Sequence, residues 1–229
     1  MTQEQKTAPT FAVALPRWQV LFVLVGFPVI YVANSFLPWS VGLFAQRVRT
    51  YYLPFWGSVA LLHWVSVVLV VVFLKRTGGR LKDIGLDLSA GKLVAMVGIP
   101  VAIGVTLVLL RESWPASEEP PSARRMLFPL TLGERVFWVF MSFTAGFCEE
   151  FVYRGFGIRT LQGRGMRTWL AVLLATLAFV FVHGLAGLFL FPVYFIAGLL
   201  FAALFLWRRS LVPGICVHAL VDVAAILGS

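Results

Sequence analysis

Long apolar runs, separated by short polar or basic stretches, dominate the pattern of the chain. Most runs reach the length of about 20 residues that an α-helix needs to cross the hydrocarbon core of a bilayer. The pattern predicts an all-α protein, a polytopic membrane helical bundle with about seven transmembrane helices. The predicted spans are Trp18–Leu37, Leu53–Leu74, Leu93–Leu110, Glu134–Thr160, Trp169–His183, Leu188–Trp207 and Val212–Leu227.

The polar stretches divide the chain into four parts. Residues 1–17 are predicted to be a cytoplasmic tail, and residues 18–110 carry the N-terminal transmembrane helices. Residues 111–133 form the longest polar segment and are predicted to be a loop, and residues 134–229 form the C-terminal transmembrane core. The connector Leu81–Leu88 alternates apolar and charged residues, which predicts an amphipathic segment at the membrane surface.

The charge pattern sets the expected orientation and partners. The chain is 60% hydrophobic and has a formal net charge of +9. In a soluble protein this charge would suggest nucleic acid. Here the basic residues flank apolar runs, so we interpret them as topology signals and contacts to anionic lipid, with no nucleic-acid partner. Twelve of them face the cytoplasm if the N-terminus is inside, against six outside, which favours that orientation in a bacterial cytoplasmic membrane.

Three charged residues interrupt the fourth apolar run without a break in the helical pattern: Glu149, Glu150 and Arg154. A charge at the centre of a membrane helix costs roughly 2.5–3.5 kcal/mol, so the three must face the protein interior or a wet cavity. Glu150 and Arg154 are four positions apart and can pair, which favours a supporting role. Glu149 is rotated about 100° from Glu150 and needs another partner, which favours a catalytic role.

Two histidines lie in later apolar helices. His183 ends one run, and His218 is four positions before Asp222, so the two share a helix face. Singly, each histidine is explained by an interhelical hydrogen bond, and we interpret His63, in the second span, only in this way. Together, Glu149, His183 and His218 supply a base, a proton carrier and an oxyanion donor for attack by water. The same three residues are also candidate zinc ligands.

The motifs that contain these residues occur in a fixed order on successive predicted helices. They read Glu-Glu-x-x-x-Arg from Glu149, Phe-x-x-x-His ending at His183, and His-x-x-x-Asp from His218. This set resembles the CAAX-protease and bacteriocin-processing (CPBP/Abi) family of intramembrane endopeptidases over residues 130–229. The first 130 residues support the resemblance only as extra helices.

The resemblance implies a membrane-embedded protease that acts on a membrane-anchored peptide or a lipidated protein. By it, Glu149 with His183 would activate water, and His218 with Asp222 would orient the oxyanion site. Glu150 and Arg154 would shape the pocket. The third motif ends in Asp222 where prenyl-protein proteases have Asn, which weakens transfer of an amide role. A metal enzyme and a metal-free glutamate mechanism have both been argued for the family, and the sequence decides between neither.

Two other functions stay open. A non-catalytic membrane scaffold of the same fold would have no need of Glu149, His183 and His218 together. A small proton-coupled transporter would move a solute and lose coupling in Glu149→Gln. Helix lengths supply a further test, because Glu149 and His183 reach the same depth only if the fourth helix runs long or the fifth helix starts deep. We expect the fourth helix to continue to Thr160, because Phe151–Leu161 has no helix breaker except two glycines.

Overall fold

The computed structural model shows the chain as a bundle of helices and describes residues 15–87, 89–113 and 124–228. None of these residues forms a strand, and the prediction of an all-α polytopic membrane bundle is confirmed. The main helices in the described ranges are α1 (Arg17–Asn34), α2 (Tyr52–Arg76), α3 (Ala90–Ser113), α4 (Leu132–Gly163), α5 (Thr168–Phe181), α6 (Phe191–Arg208) and α7 (Val212–Val223). Short helices at Pro38–Phe44, Arg124–Leu127 and Leu185–Phe189 and 3-10 turns at Arg49–Tyr51, Leu81–Ile84 and Ala224–Gly228 connect or extend them.

Each predicted span overlaps one of the main helices, but the helices differ in length. In the described part of the chain, α1, α2 with its preceding turn, α3, α4 and α6 are long and apolar enough to cross a membrane. The helices α5 and α7 are apolar but have only 14 and 12 residues. The last predicted span is short because α7 gives way to a 3-10 turn after Val223.

Prolines inside two of the spans are accommodated by π-helical turns. The turn Phe22–Gly26 lies two residues before Pro28 in α1, and Val94–Gly98 lies two residues before Pro100 in α3. A proline has no N–H and its ring clashes with the carbonyl four residues earlier. A π turn pairs residues five apart, which changes the backbone spacing at that point. Both helices therefore continue through their prolines.

Helix α4 is the longest helix described and lies in the middle of the bundle. It extends over 32 residues and continues past Thr160, the predicted end, and Glu150–Ile158 is π-helical and fully buried. A side chain at Gly146 would meet α7, with its Cβ 2.9 Å from the backbone nitrogen of Ala219. Glycine at this position therefore allows the backbones of α4 and α7 to approach closely.

The N-terminal end of α4 is fixed by polar contacts. Thr131 and Glu134 form a capping box, and Arg49 binds the Glu134 carboxylate at 2.5 and 3.0 Å. Arg135 pairs with Glu112 at the end of α3. The predicted loop 111–133 is therefore partly wrong, because α3 continues through Ser113 and a short helix precedes the cap. Residues 114–123, like residues 1–14 of the predicted tail, lie outside the described ranges.

The connector after α2 buries apolar side chains in the bundle, which its amphipathic pattern did not predict. Its regular structure is one 3-10 turn, Leu81–Ile84, and the side chains of Ile84 and Leu86 are buried in the core of the bundle. The backbone N–H of Leu211, just before α7, donates to the carbonyl of Gly85 at 3.0 Å. Ile84 and Leu86 therefore pack against protein at this end of the bundle.

Candidate active site

Antiparallel packing brings the site residues to one level. Glu149 lies fourteen residues before the end of α4, and His183 lies fifteen residues after the start of α5. A short connection joins the two helices, so nearly equal lengths place both residues at a similar depth. A Cβ at Gly155 would contact Leu211. Gly155 lies six residues after Glu149, and Leu211 lies seven residues before His218, so His218 of α7 is at a similar depth to Glu149.

Glu149 is the centre of the cluster. The residue is 5% exposed, and its Oε1 lies 2.8 Å from Nε2 of His63. Its Oε2 lies 3.7 Å from Nε2 of His218 and has no hydrogen-bond partner among the described residues. One carboxylate oxygen is thus held in place, and the other keeps its capacity to accept a proton.

Glu150 faces a different set of partners. Its Oε1 lies 3.2 Å from Nη1 of Arg154 and 3.2 Å from Nδ1 of His218. Both the carboxylate and the guanidinium are buried. The guanidinium also covers the ring of Phe179, with 4.0 Å between Cζ and the ring centroid, and donates to the carbonyl of Gly198 at 3.4 Å. The predicted pairing of Glu150 with Arg154 is present, and the pair links α4 to α5 and α6.

His218 lies between the carboxylates. Its Nδ1 faces Glu150, and its Nε2 lies 3.7 Å from both Glu149 and Oδ2 of Asp222. The ring stacks on Phe201 at a centroid distance of 4.7 Å. The expected partnership with Asp222 is therefore longer than a hydrogen bond. Asp222 has a side chain that is 31% exposed, which makes it the most accessible of the predicted site residues joined by ion pairs.

His183 occupies the turn just after α5 at the edge of the cluster. Its Nδ1 donates to the carbonyl of Phe179 at 3.0 Å, which leaves Nε2 of the neutral ring as an acceptor. The ring stacks on Tyr194 of α6 at a centroid distance of 3.8 Å. In the described part of the chain it makes no ion pair with Glu149, but the two interact electrostatically.

The residues do not form a metal centre in this arrangement. Across the described ranges, no group of three or more His, Cys, Asp or Glu side chains is placed to hold a metal ion. The candidate zinc set of Glu149, His183 and His218 therefore does not fit, and no reaction step is derived through a metal.

The sequence interpretation missed one member of the cluster. His63 does make an interhelical hydrogen bond, as predicted, but its partner is Glu149, and Tyr31 of α1 lies 2.8 Å from its other nitrogen. Glu149 and His63 are 86 residues apart, so helix periodicity cannot pair them. The available signal was a carboxylate without a local partner together with a histidine in an otherwise apolar helix.

The fold and the site define a multi-pass membrane protein whose buried carboxylate faces histidines from separate helices. Residues 131–224 match the family model described as Rce1-like, type II CAAX prenyl endopeptidase. The match confirms the predicted resemblance and supports, in general terms, a CAAX-type intramembrane endopeptidase. It covers α4 to α7 with every predicted site residue, but neither Tyr31 nor His63. Searches of the curated proteins and of the solved structures found no match.

Proposed function

We propose that the protein is an intramembrane endopeptidase that hydrolyses a peptide bond in a membrane-anchored or lipid-modified substrate. The observation that carries the proposal is the environment of Glu149. Its buried carboxylate has one oxygen fixed by His63 and one oxygen without a hydrogen-bond partner in the described ranges, beside His218. A carboxylate held in this way is suited to take a proton from water.

In the proposed reaction, Glu149 accepts a proton from a water molecule whose oxygen attacks the carbonyl carbon of the scissile bond. His183 orients that water through Nε2, because its Nδ1–H is committed to the Phe179 carbonyl. A tetrahedral intermediate forms with negative charge on the former carbonyl oxygen. When the C–N bond breaks, the proton held by Glu149 passes to the leaving nitrogen, so atoms and charge balance.

His218 is proposed to stabilise the oxyanion. Its Nδ1 faces Glu150, and its Nε2 is directed to the space shared by Glu149 and Asp222. Because the Glu150 carboxylate accepts from Nδ1–H, His218 is proposed to donate from Nε2 to the developing charge as the doubly protonated imidazolium. Asp222 orients this end of the site, and the pair of Glu150 and Arg154 fixes the opposite nitrogen of the ring.

The substrate class is proposed from the setting of the site. The Glu149 cluster lies among membrane helices, so a peptide must be presented from the membrane, as a CAAX-type tail, a leader or a sorting signal. We further propose that the protein resides in a bacterial cytoplasmic membrane with its N-terminus inside. The flanking basic residues support this orientation. The contact of Arg164 with the Leu15 carbonyl supports one shared end for the start of α1 and the end of α4.

The proposal is tested by proteolysis in reconstituted liposomes with a panel of membrane-tethered peptides, prenylated and unmodified. Wild type is expected to cleave at least one peptide, and Glu149→Ala is expected to lower the rate by about 100-fold or more. Asp87→Asn is a matched control, because Asp87 is a carboxylate outside the spans that pairs with Lys92. Failure of folded wild type to cut any peptide would favour the scaffold.

A parallel assay with a metal chelator tests whether Glu149, His183 and His218 hold a metal ion that cleavage needs. We expect cleavage to persist, because the side chains of Glu149, His183 and His218 do not converge on one point as metal ligands. Loss of cleavage in chelator, restored by added zinc, would contradict this arrangement of the site.

A further inference from the structure

We propose that His63 is a positioning residue for Glu149, and that Tyr31 completes a hydrogen-bonded chain of three side chains across α1, α2 and α4. The inference rests on the proposed function and extends it to residues outside the segment that matches the family model. In this account the N-terminal helices contribute directly to the active site.

The first support is geometry. Nε2 of His63 lies 2.8 Å from Oε1 of Glu149, and Nδ1 lies 2.8 Å from the hydroxyl of Tyr31. All three residues are buried. These distances are those of well-formed hydrogen bonds, and each bond joins two different helices. The three side chains therefore form a continuous chain that ends on the proposed base.

The second support is the effect of the hydrogen bonds from Tyr31 and His63 on the orientation of the Glu149 carboxylate. When the Tyr31 hydroxyl donates to Nδ1, the neutral imidazole carries its proton on Nε2 and donates it to Oε1 of Glu149. That bond fixes the rotation of the carboxylate and leaves Oε2 beside His218. A base oriented by a neighbour, which is itself oriented by a third group, is a recurring arrangement in hydrolases.

The third support is the alternative partner of the ring. Nδ1 also lies 2.8 Å from the carbonyl of Val59, one turn earlier in α2. When Nδ1 carries the ring proton and donates there, Nε2 is an acceptor for a Glu149 carboxyl group protonated on Oε1. His63 can therefore keep a hydrogen bond to Glu149 in its ionised form, through Nε2–H, and in its protonated form, through the Nε2 lone pair.

The proposal predicts a separation of kcat from KM in the proteoliposome assay. His63→Leu should lower kcat by about 10- to 100-fold with KM within about twofold, since the chain acts on the base and not on substrate binding. His63→Gln retains an amide donor near Oε1 and should recover part of the loss. Ser66→Ala is the matched control, because Ser66 is buried in α2 and, among the described residues, its hydroxyl donates to the His63 carbonyl and not to the ring.

A double-mutant cycle decides the matter if His63→Leu does not fold. Tyr31→Phe should lower kcat about three- to tenfold with His63 present and have no further effect in the His63→Gln background. An equal effect of Tyr31→Phe in both backgrounds would contradict the claim that Tyr31 acts on Glu149 through His63.

A readout without substrate separates failure of this proposal from failure of the endopeptidase proposal. Dicyclohexylcarbodiimide modifies protonated carboxyl groups in apolar surroundings, and peptide mass spectrometry locates the product. At neutral pH, His63→Leu, or His63→Gln if it alone folds, should raise modification of Glu149 at least threefold over wild type and Ser66→Ala. Unchanged modification with unchanged kcat would overturn the role of His63, whatever the substrate. Changed modification without cleavage by wild type would retain His63 as the partner of Glu149 and reject the peptidase.

Discussion

At the scale of single residues, two adjacent glutamates have separate partners. The helical rotation between neighbouring positions turns Glu149 toward His63 and Glu150 toward Arg154, while His218 contacts both carboxylates. The sequence predicted the pair of Glu150 and Arg154 because their spacing is local. It could not supply the partner of Glu149, because that partner comes from a distant helix.

The buried pair of Glu150 and Arg154 gives a prediction about stability. Arg154→Met should lower the free energy of unfolding by about 3–5 kcal/mol, because it leaves the Glu150 carboxylate buried without its cation. Adding Glu150→Gln should restore part of that loss, since the amide is neutral and its oxygen can still accept from His218. Unfolding in detergent micelles measures both variants. Equal stability of the single and double variants would contradict the account.

Asp222 gives a prediction about the oxyanion. Its carboxylate lies 3.7 Å from Nε2 of His218 and is partly exposed. Asp222→Asn should keep the cleavage rate within about threefold, because the amide oxygen can still accept from Nε2 of His218. Asp222→Leu should lower it by up to about 100-fold, because His218, the proposed oxyanion donor, would lose the group that orients its Nε2. The proteoliposome assay compares the two, and an equal loss in both would argue that the negative charge itself is needed.

At the scale of elements, the fold depends on features that periodicity indicates only in part. The length of α4 followed from the absence of strong helix breakers after Phe151. Its π-helical segment Glu150–Ile158 did not, because the sequence pattern does not show which helical spacing the backbone adopts. The burial of Ile84 in the connector was also missed, because its amphipathic pattern fits a protein surface and a lipid surface equally well.

The crossing of α4 and α7 gives a prediction at this scale. Gly146→Val should lower the thermal stability and should lower the cleavage rate by at least about tenfold. Its side chain would meet the backbone at Ile215 and Ala219 and separate Glu149 from His218. Gly133→Ala is the control in the same helix, since nothing lies within 4 Å of its added Cβ. Thermal unfolding and cleavage assays report the two effects. Normal behaviour of Gly146→Val would contradict the close packing.

At the scale of the whole molecule, sequence reasoning recovered the fold class and the order of the helices, and it placed a candidate site in α4 to α7 that stays a prediction. It treated residues 1–130 as additional helices. The structure instead brings Tyr31 and His63 from that half to Glu149. This long-range contact depends on how the two halves pack, which hydropathy does not encode.

Orientation gives a prediction for the complete chain. Thr50 and Lys82 are exposed and lie beyond opposite ends of α2. In a background with Cys148→Ala and Cys216→Ala, an impermeant maleimide should label Thr50→Cys in intact cells. Lys82→Cys should react only after lysis, because the flanking basic residues place that end inside. The reverse pattern would contradict the proposed topology.

The central claim is that Glu149 drives hydrolysis of a peptide bond inside the bundle. Its most direct test is cleavage of a membrane-tethered peptide by purified, reconstituted wild type, Glu149→Gln and Cys148→Ala. Cys148 is the buried neighbour of Glu149, so its variant controls for packing and for a thiol nucleophile. The account predicts cleavage by wild type and Cys148→Ala and a loss of about 100-fold or more in Glu149→Gln. Undiminished cleavage by folded Glu149→Gln would contradict it.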